Sequence, residues 1–146
     1  MYEYKETGMD NVWLVNGHTV VEGPDGAAVQ VVSVRQLANA LAQVLVQSEA
    51  ALSGRALRFL RLQLGLERTE MGAIIGVGAE TIIQWEQEVT VLPVAADFMA
   101  RVVYASRLTP SVTAVALLEQ MAHVKRGTRH RIVCRFEQDA WRVGEE

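Results

Sequence analysis

Leu57, Leu60 and Leu64 recur at the spacing of one helix face. Two shorter apolar runs follow, Met71 with Ile74 and Ile75, then Ile82 with Trp85. Glycine separates the three. Gly65 ends the first run, because a residue without a Cβ takes the left-handed cap conformation without a clash, and Gly76 allows a tight turn between the second and third. The pattern predicts helices over about residues 53–64, 69–75 and 79–87. In the third, Ile82 and Trp85 face inward, while Ala79, Glu80, Ile83 and Gln84 lie nearer solvent.

Alternation rather than helical spacing marks the two ends of the chain. Val12 to Val15 is a short β-prone run, and Asn16-Gly17 after it is a strong hairpin signal. Thr19-Val20-Val21 is expected to return, Gly23-Pro24-Asp25-Gly26 to turn again, and Val29 to Val32 to add a third strand. So small an antiparallel sheet needs a neighbour to pack on. A helix from Ser33 or Val34 to about Gln47 supplies one, with Leu37, Leu41, Val44 and Leu45 along its apolar side. Residues 48–52 form a short connection, and Ser53 is placed to cap the next helix. Pro93 suits the first turn of a helix over about 94–106. Ser111 opens another to about Val124, with Val112, Val115, Leu118 and Met121 in line, either as core or as a seam between two copies. Residues 131–136 and 140–143, with Gln138-Asp139 between them, read as a terminal hairpin. The fold class expected is α+β, in three parts: a small strand-and-helix region over 1–50, a helical domain over 51–108, and a helix with a hairpin over 109–146.

Two short helices over a glycine turn make a helix-turn-helix. The segments Arg61-Leu62-Gln63-Leu64-Gly65-Leu66, Gly76-Val77, Thr81-Ile82 and Trp85-Glu86 resemble the DNA-binding domain of the Xre/Cro/phage-repressor family. That resemblance implies an ion pair between Arg61 and Glu86, fixing the angle of the recognition helix. It also implies a homodimer on a pseudo-palindromic double-stranded DNA site. A second resemblance lies in the N-terminal stretch Tyr4 to Leu14 with Asn16-Gly17, which is similar to the start of MqsA/YgiT-type antitoxin regulators. Those regulators carry paired zinc-binding cysteines in that region. Here Cys134 is the only cysteine, so neither a cysteine zinc site nor an intrachain disulfide is expected.

In a helix-turn-helix the first residues of the recognition helix reach base edges in the major groove. Those residues are Gly78, Ala79, Glu80, Thr81 and Gln84. Gln84 suits a bidentate pair with adenine, and Glu80 suits acceptance from cytosine N4. Arg68, opening the helix before the turn, suits a phosphate. Charge is the opposing observation. The net charge is -3, and residues 51–108 hold six basic and six acidic side chains. Where repressor-like domains place glycine and a basic residue after the Trp-Glu pair, this chain has Gln87-Glu88-Val89-Thr90. The basic run 125–131 is either a second phosphate contact or a solvated loop. The other function class the sequence supports is thus a protein-interaction module on the same scaffold, binding a toxin or another protein.

No nucleophile-base pattern, phosphate-cradling glycine loop or cofactor motif stands in the chain, so catalysis is not expected. His123 and His130 have no third ligand spaced with them, and no metal is expected. With no signal-peptide pattern and no long apolar run, a cytoplasmic setting is expected.

Overall fold

Asn16-Gly17 does not close a hairpin. The computed structural model describes residues 1–108 and 130–146, with residues 116, 119 and 122 between them. In it β1 (Tyr2–Glu3) pairs antiparallel with β2 (Val12–Leu14), and β2 pairs in parallel with a strand from the far end of the chain. Asn16 spends its side chain on that distant strand. Its Nδ2 donates to the Phe136 carbonyl at 3.0 Å, and its Oδ1 accepts from the Phe136 N–H at 2.6 Å. An amide that reproduces a backbone donor-acceptor pair extends the sheet by one more rung. Asn16 therefore continues the edge of the sheet, and Gly17, at φ +73°, turns the chain into the next strand.

The expected return strand pairs elsewhere. β3 (His18–Gly23) and β4 (Gly26–Val31) form their own antiparallel ribbon, turning at Pro24-Asp25. The Val32 N–H donates to the Gly17 carbonyl at 2.9 Å and closes its base. Trp141 Nε1 donates to the Val32 carbonyl at 2.7 Å. A Cβ on Gly17 would stand 2.7 Å from the Trp141 ring, so only glycine lets the indole lie there.

Five helices follow among the described residues: α1 (Val34–Gln47), α2 (Gly54–Gln63), α3 (Arg68–Ile75), α4 (Ala79–Glu86) and α5 (Val94–Leu108). Ser53 caps α2 as expected, its Oγ accepting from the Ala56 N–H at 3.1 Å. Gly65 leaves α2 with φ +68°, and the Leu66 N–H donates back to the Arg61 carbonyl. Leu37, Leu41 and Leu45 of α1 are buried as read, but Val44 is only half-buried and Ala42 and Val46 take its place. Ile74, assigned to the inner face of α3, is exposed; the buried residues of that helix are Met71 and Gly72. An eight-residue helix has only two full turns, so one buried face holds few side chains.

The terminal hairpin forms as β5 (Ile132–Glu137) and β6 (Ala140–Glu145), with Gln138 and Asp139 both at positive φ in the two-residue turn. The main sheet runs β1-β2-β5-β6, mixed and four-stranded, and joins the two ends of the chain. A parallel pair needs a long crossover, and between β2 and β5 every helix intervenes. One buried core joins Val12, Ile132 and Trp141 of the sheet to Leu41 of α1, Leu57 of α2, Ile82 of α4 and Tyr104 of α5. The fold is α+β. The expected helix over 111–124, with Val112, Val115, Leu118 and Met121, and the basic run up to Arg129 lie outside the described residues. No helix among the described residues is long and apolar enough to cross a membrane.

Candidate nucleic-acid interface

Gly76 takes φ +91° at the end of α3 and turns the chain through Val77 to Gly78, which opens α4. Both the Gly76 and Val77 N–H groups donate to the Gly72 carbonyl, at 2.7 and 2.8 Å. A Cβ on Gly72 would lie 2.5 Å from the Val77 carbonyl oxygen, so the turn folds back onto a bare backbone. The far end of α4 is held in the same way. A Cβ on Gly54 would lie 1.7 Å from the Trp85 carbonyl oxygen, so the start of α2 touches the end of α4 directly.

With Ile82 and Trp85 turned inward, the opposite side of α4 faces solvent. Gly78, Glu80 and Gln84 are exposed, and Ala79 and Thr81 half-exposed. Glu80, Thr81 and Gln84 thus share one side of α4, and Gly78 and Ala79 open the helix.

Arg61 and Glu86 meet as the resemblance implied. Arg61 Nε is 2.6 Å from Glu86 Oε2, and a second guanidinium nitrogen is 3.0 Å from Oε1. The Glu86 side chain is 1% exposed, and Arg61 also donates to the Leu66 carbonyl. A fork-to-fork pair out of water constrains the angle between two helices as well as their separation. Arg68, read from sequence as a phosphate contact, also reaches this pair, its Nε donating to Glu86 Oε1 at 3.2 Å. One carboxylate therefore sits between two guanidiniums, and the surplus positive charge falls on Arg68, whose side chain is 39% exposed at the first residue of α3.

A second buried pair escaped sequence reading. Arg101 Nε donates to Asp97 Oδ1 at 2.7 Å, both side chains fully buried within α5. Arg101 also donates to the Ser48 and Ala50 carbonyls, and Asp97 Oδ2 accepts from the Leu52 N–H at 3.0 Å. Residues 48–52, read as a bare connection, are thereby pinned to α5. The signal was present in two opposite charges four apart in an otherwise apolar stretch. Gly54 was missed because nothing local marks a glycine needed for a neighbour's approach.

Past α4 two valines stand exposed among polar residues. Val89 is 69% exposed and Val91 88%, with Glu88 beside them at φ +60°. Glu88 faces the start of α2, accepting from the Arg55 N–H at 3.4 Å. Among the described residues no group of three or more His, Cys, Asp or Glu could hold a metal ion. Comparison with family models, with curated proteins and with solved structures returns no match to this chain.

Proposed function

We propose that this chain is a sequence-specific double-stranded DNA-binding transcriptional regulator, antitoxin-like, on a repressor-like helix-turn-helix. It reads the major groove with the first turns of α4. The observation that carries this reading is the rigid presentation of α4. Gly72 and Gly54 close its two ends against backbone, and the buried Arg61–Glu86 pair holds its angle. Glu80, Thr81 and Gln84 then project from one side, with Gly78 and Ala79 at the start of the helix and the half-exposed Arg68 guanidinium at the start of α3. Base readout needs side chains held in register, and phosphate contact supplies affinity. A homodimer matches such a helix to a two-fold site, and a cytoplasmic setting accompanies it.

A second reading has its own observation. Glu80 and Glu88 are acidic, and Val89 and Val91 are bare where a phosphate grip would be wanted. On this reading the same surface binds a protein such as a toxin. Retention of random-library duplex DNA on the purified protein separates the two. Selective enrichment, weakening steeply between ~50 and ~200 mM salt, supports DNA. No retention even near 50 mM salt, where backbone electrostatics are strong, overturns it in favour of the protein partner.

A further inference from the structure

A cleft of about 580 Å3 lies between the sheet and the helices and has no part in the α4 surface. Its floor is apolar, built from Leu45 of α1, Leu52, Leu92 and Ile132 of β5, all buried side chains. Two carboxylates stand among its lining, Glu88 and Glu145, both exposed. No lysine or arginine is in the lining among the described residues; His130 is the one basic side chain there. Glu145 uses one carboxylate oxygen to accept from Ser48 Oγ, and its other oxygen has no partner among the described residues. The nearest approach of a guanidinium to Glu88 is Arg55 Nε at 4.0 Å.

Volume, floor and charge together select a ligand. Small-molecule sites occupy about 300–1,000 Å3, with mostly apolar walls and a few polar groups that orient the guest. Among the described lining residues an anion would meet two carboxylates and no guanidinium or ammonium. A ligand with an apolar body and a cationic head satisfies the floor and the carboxylates at once. We propose that this cleft binds a small amphipathic organic cation, an amine whose apolar body lies on the Leu45–Leu52–Leu92–Ile132 floor and whose ammonium donates to Glu145, with Glu88 adding negative charge to the same lining. The residues after α4 form part of its wall, and the Val89 N–H donates back to the Gln84 carbonyl at 2.9 Å. The site itself stands apart from the DNA reading, since none of the base-reading side chains lines it.

Calorimetric titration with three compounds sharing one skeleton tests it: 4-phenylbutylamine, 4-phenylbutanol and 4-phenylbutyrate. The amine is expected to bind about tenfold more tightly than the alcohol, the gain from a hydrogen bond to an ionised group, and the butyrate more weakly than either. Glu145→Gln keeps an oxygen for Ser48 and removes only the charge. It is expected to remove most of the amine's advantage over the alcohol and to leave the alcohol unchanged. Ala51→Trp, filling the cleft from its wall, is expected to abolish binding of all three with the unfolding midpoint retained. Equal affinities for amine and butyrate overturn the cationic assignment. No binding of any compound at millimolar concentration overturns the site.

Discussion

Glu86 and Glu88 are two residues apart and differ in everything that decides their worth. Glu86 is buried between Arg61 and Arg68, whereas Glu88 lies on the surface with only long contacts to Arg55. Glu86→Ala strands a buried guanidinium and is expected to cost ~3–5 kcal/mol. Glu88→Ala is expected to cost ~0–1 kcal/mol. Urea midpoints at constant slope measure both, and equal small shifts would remove the ion pair as the element that orients α4. Cys134 offers a second test at this scale. Burial pushes its thiol from an ordinary 9.0 up to about 12. Below pH 9 the thiol is protonated in both states and contributes no pH dependence. As pH rises above 9 the unfolded chain loses its proton first, so stability is expected to fall towards pH 12. Burial raises Tyr4 and Tyr104 as well, in the same direction. Cys134→Ala should therefore shallow the alkaline decline without abolishing it. A slope unchanged between mildly and strongly alkaline buffers would contradict the buried position.

At the scale of elements, three glycines around α4 make a graded series. Gly54 and Gly72 have backbone oxygens where a Cβ would go, at 1.7 and 2.5 Å, while Gly78 has nothing within 4 Å. Backbone cannot swing aside as a side-chain end can. Gly54→Ala and Gly72→Ala are each expected to destabilise by ~1–3 kcal/mol or more, as overpacking does. Gly78→Ala, changing only a helix cap residue, is expected to cost at most about 1 kcal/mol. Denaturant midpoints rank the three, and a Gly78 variant as damaged as the Gly54 variant would refute the close-approach account. The Asp97–Arg101 pair acts on the same scale, because it ties α5 to the segment between α1 and α2. Asp97→Ala is expected to cost ~3–5 kcal/mol by leaving Arg101 buried and unpaired. Removing both charges together, as Asp97→Leu with Arg101→Met, should cost less than removing one.

For the whole molecule, the surface of α4 and the joined ends of the chain carry separate consequences. If α4 reads DNA, Gln84→Ala lowers selectivity at one or two base pairs by ~1–3 kcal/mol each. Arg68→Ala weakens all sequences alike and flattens the salt dependence by roughly one unit. Glu80→Ala is the most discriminating variant. A cytosine-reading Glu80 would relax one base position when lost, and a Glu80 that only repels phosphate would raise affinity for every sequence. Binding curves across a library at several salt concentrations distinguish these. The second consequence is topological. β2 is paired on one side by the two-residue β1 and on the other by β5. Deleting residues 131–146 is therefore expected to expose the amides of Val12 to Leu14 to rapid hydrogen exchange. Continued protection there would show that the N-terminal region holds itself together.

The local rules were sufficient wherever the decisive interaction is local. Helical spacing located α1 to α5, Ser53 and Gly65 marked the two ends of α2, and Gln138-Asp139 marked the last turn. Each of these is settled within a few residues by dihedral preference and by which face is apolar. The side chains that face solvent on α4 were legible for the same reason. What the sequence could not decide was partnership at a distance. Asn16-Gly17 has every local mark of a hairpin, yet β2 gains more by pairing with β5, because that choice buries Val12 and Leu14 against Ile132 and Cys134 in a shared core. Arg68 was read only as a phosphate contact, and folding also sets Glu86 beside it. Gly54 matters only through the Trp85 carbonyl, thirty-one positions away. Spacing along the chain encodes which way a residue points, and only the closing of the core determines what it meets there.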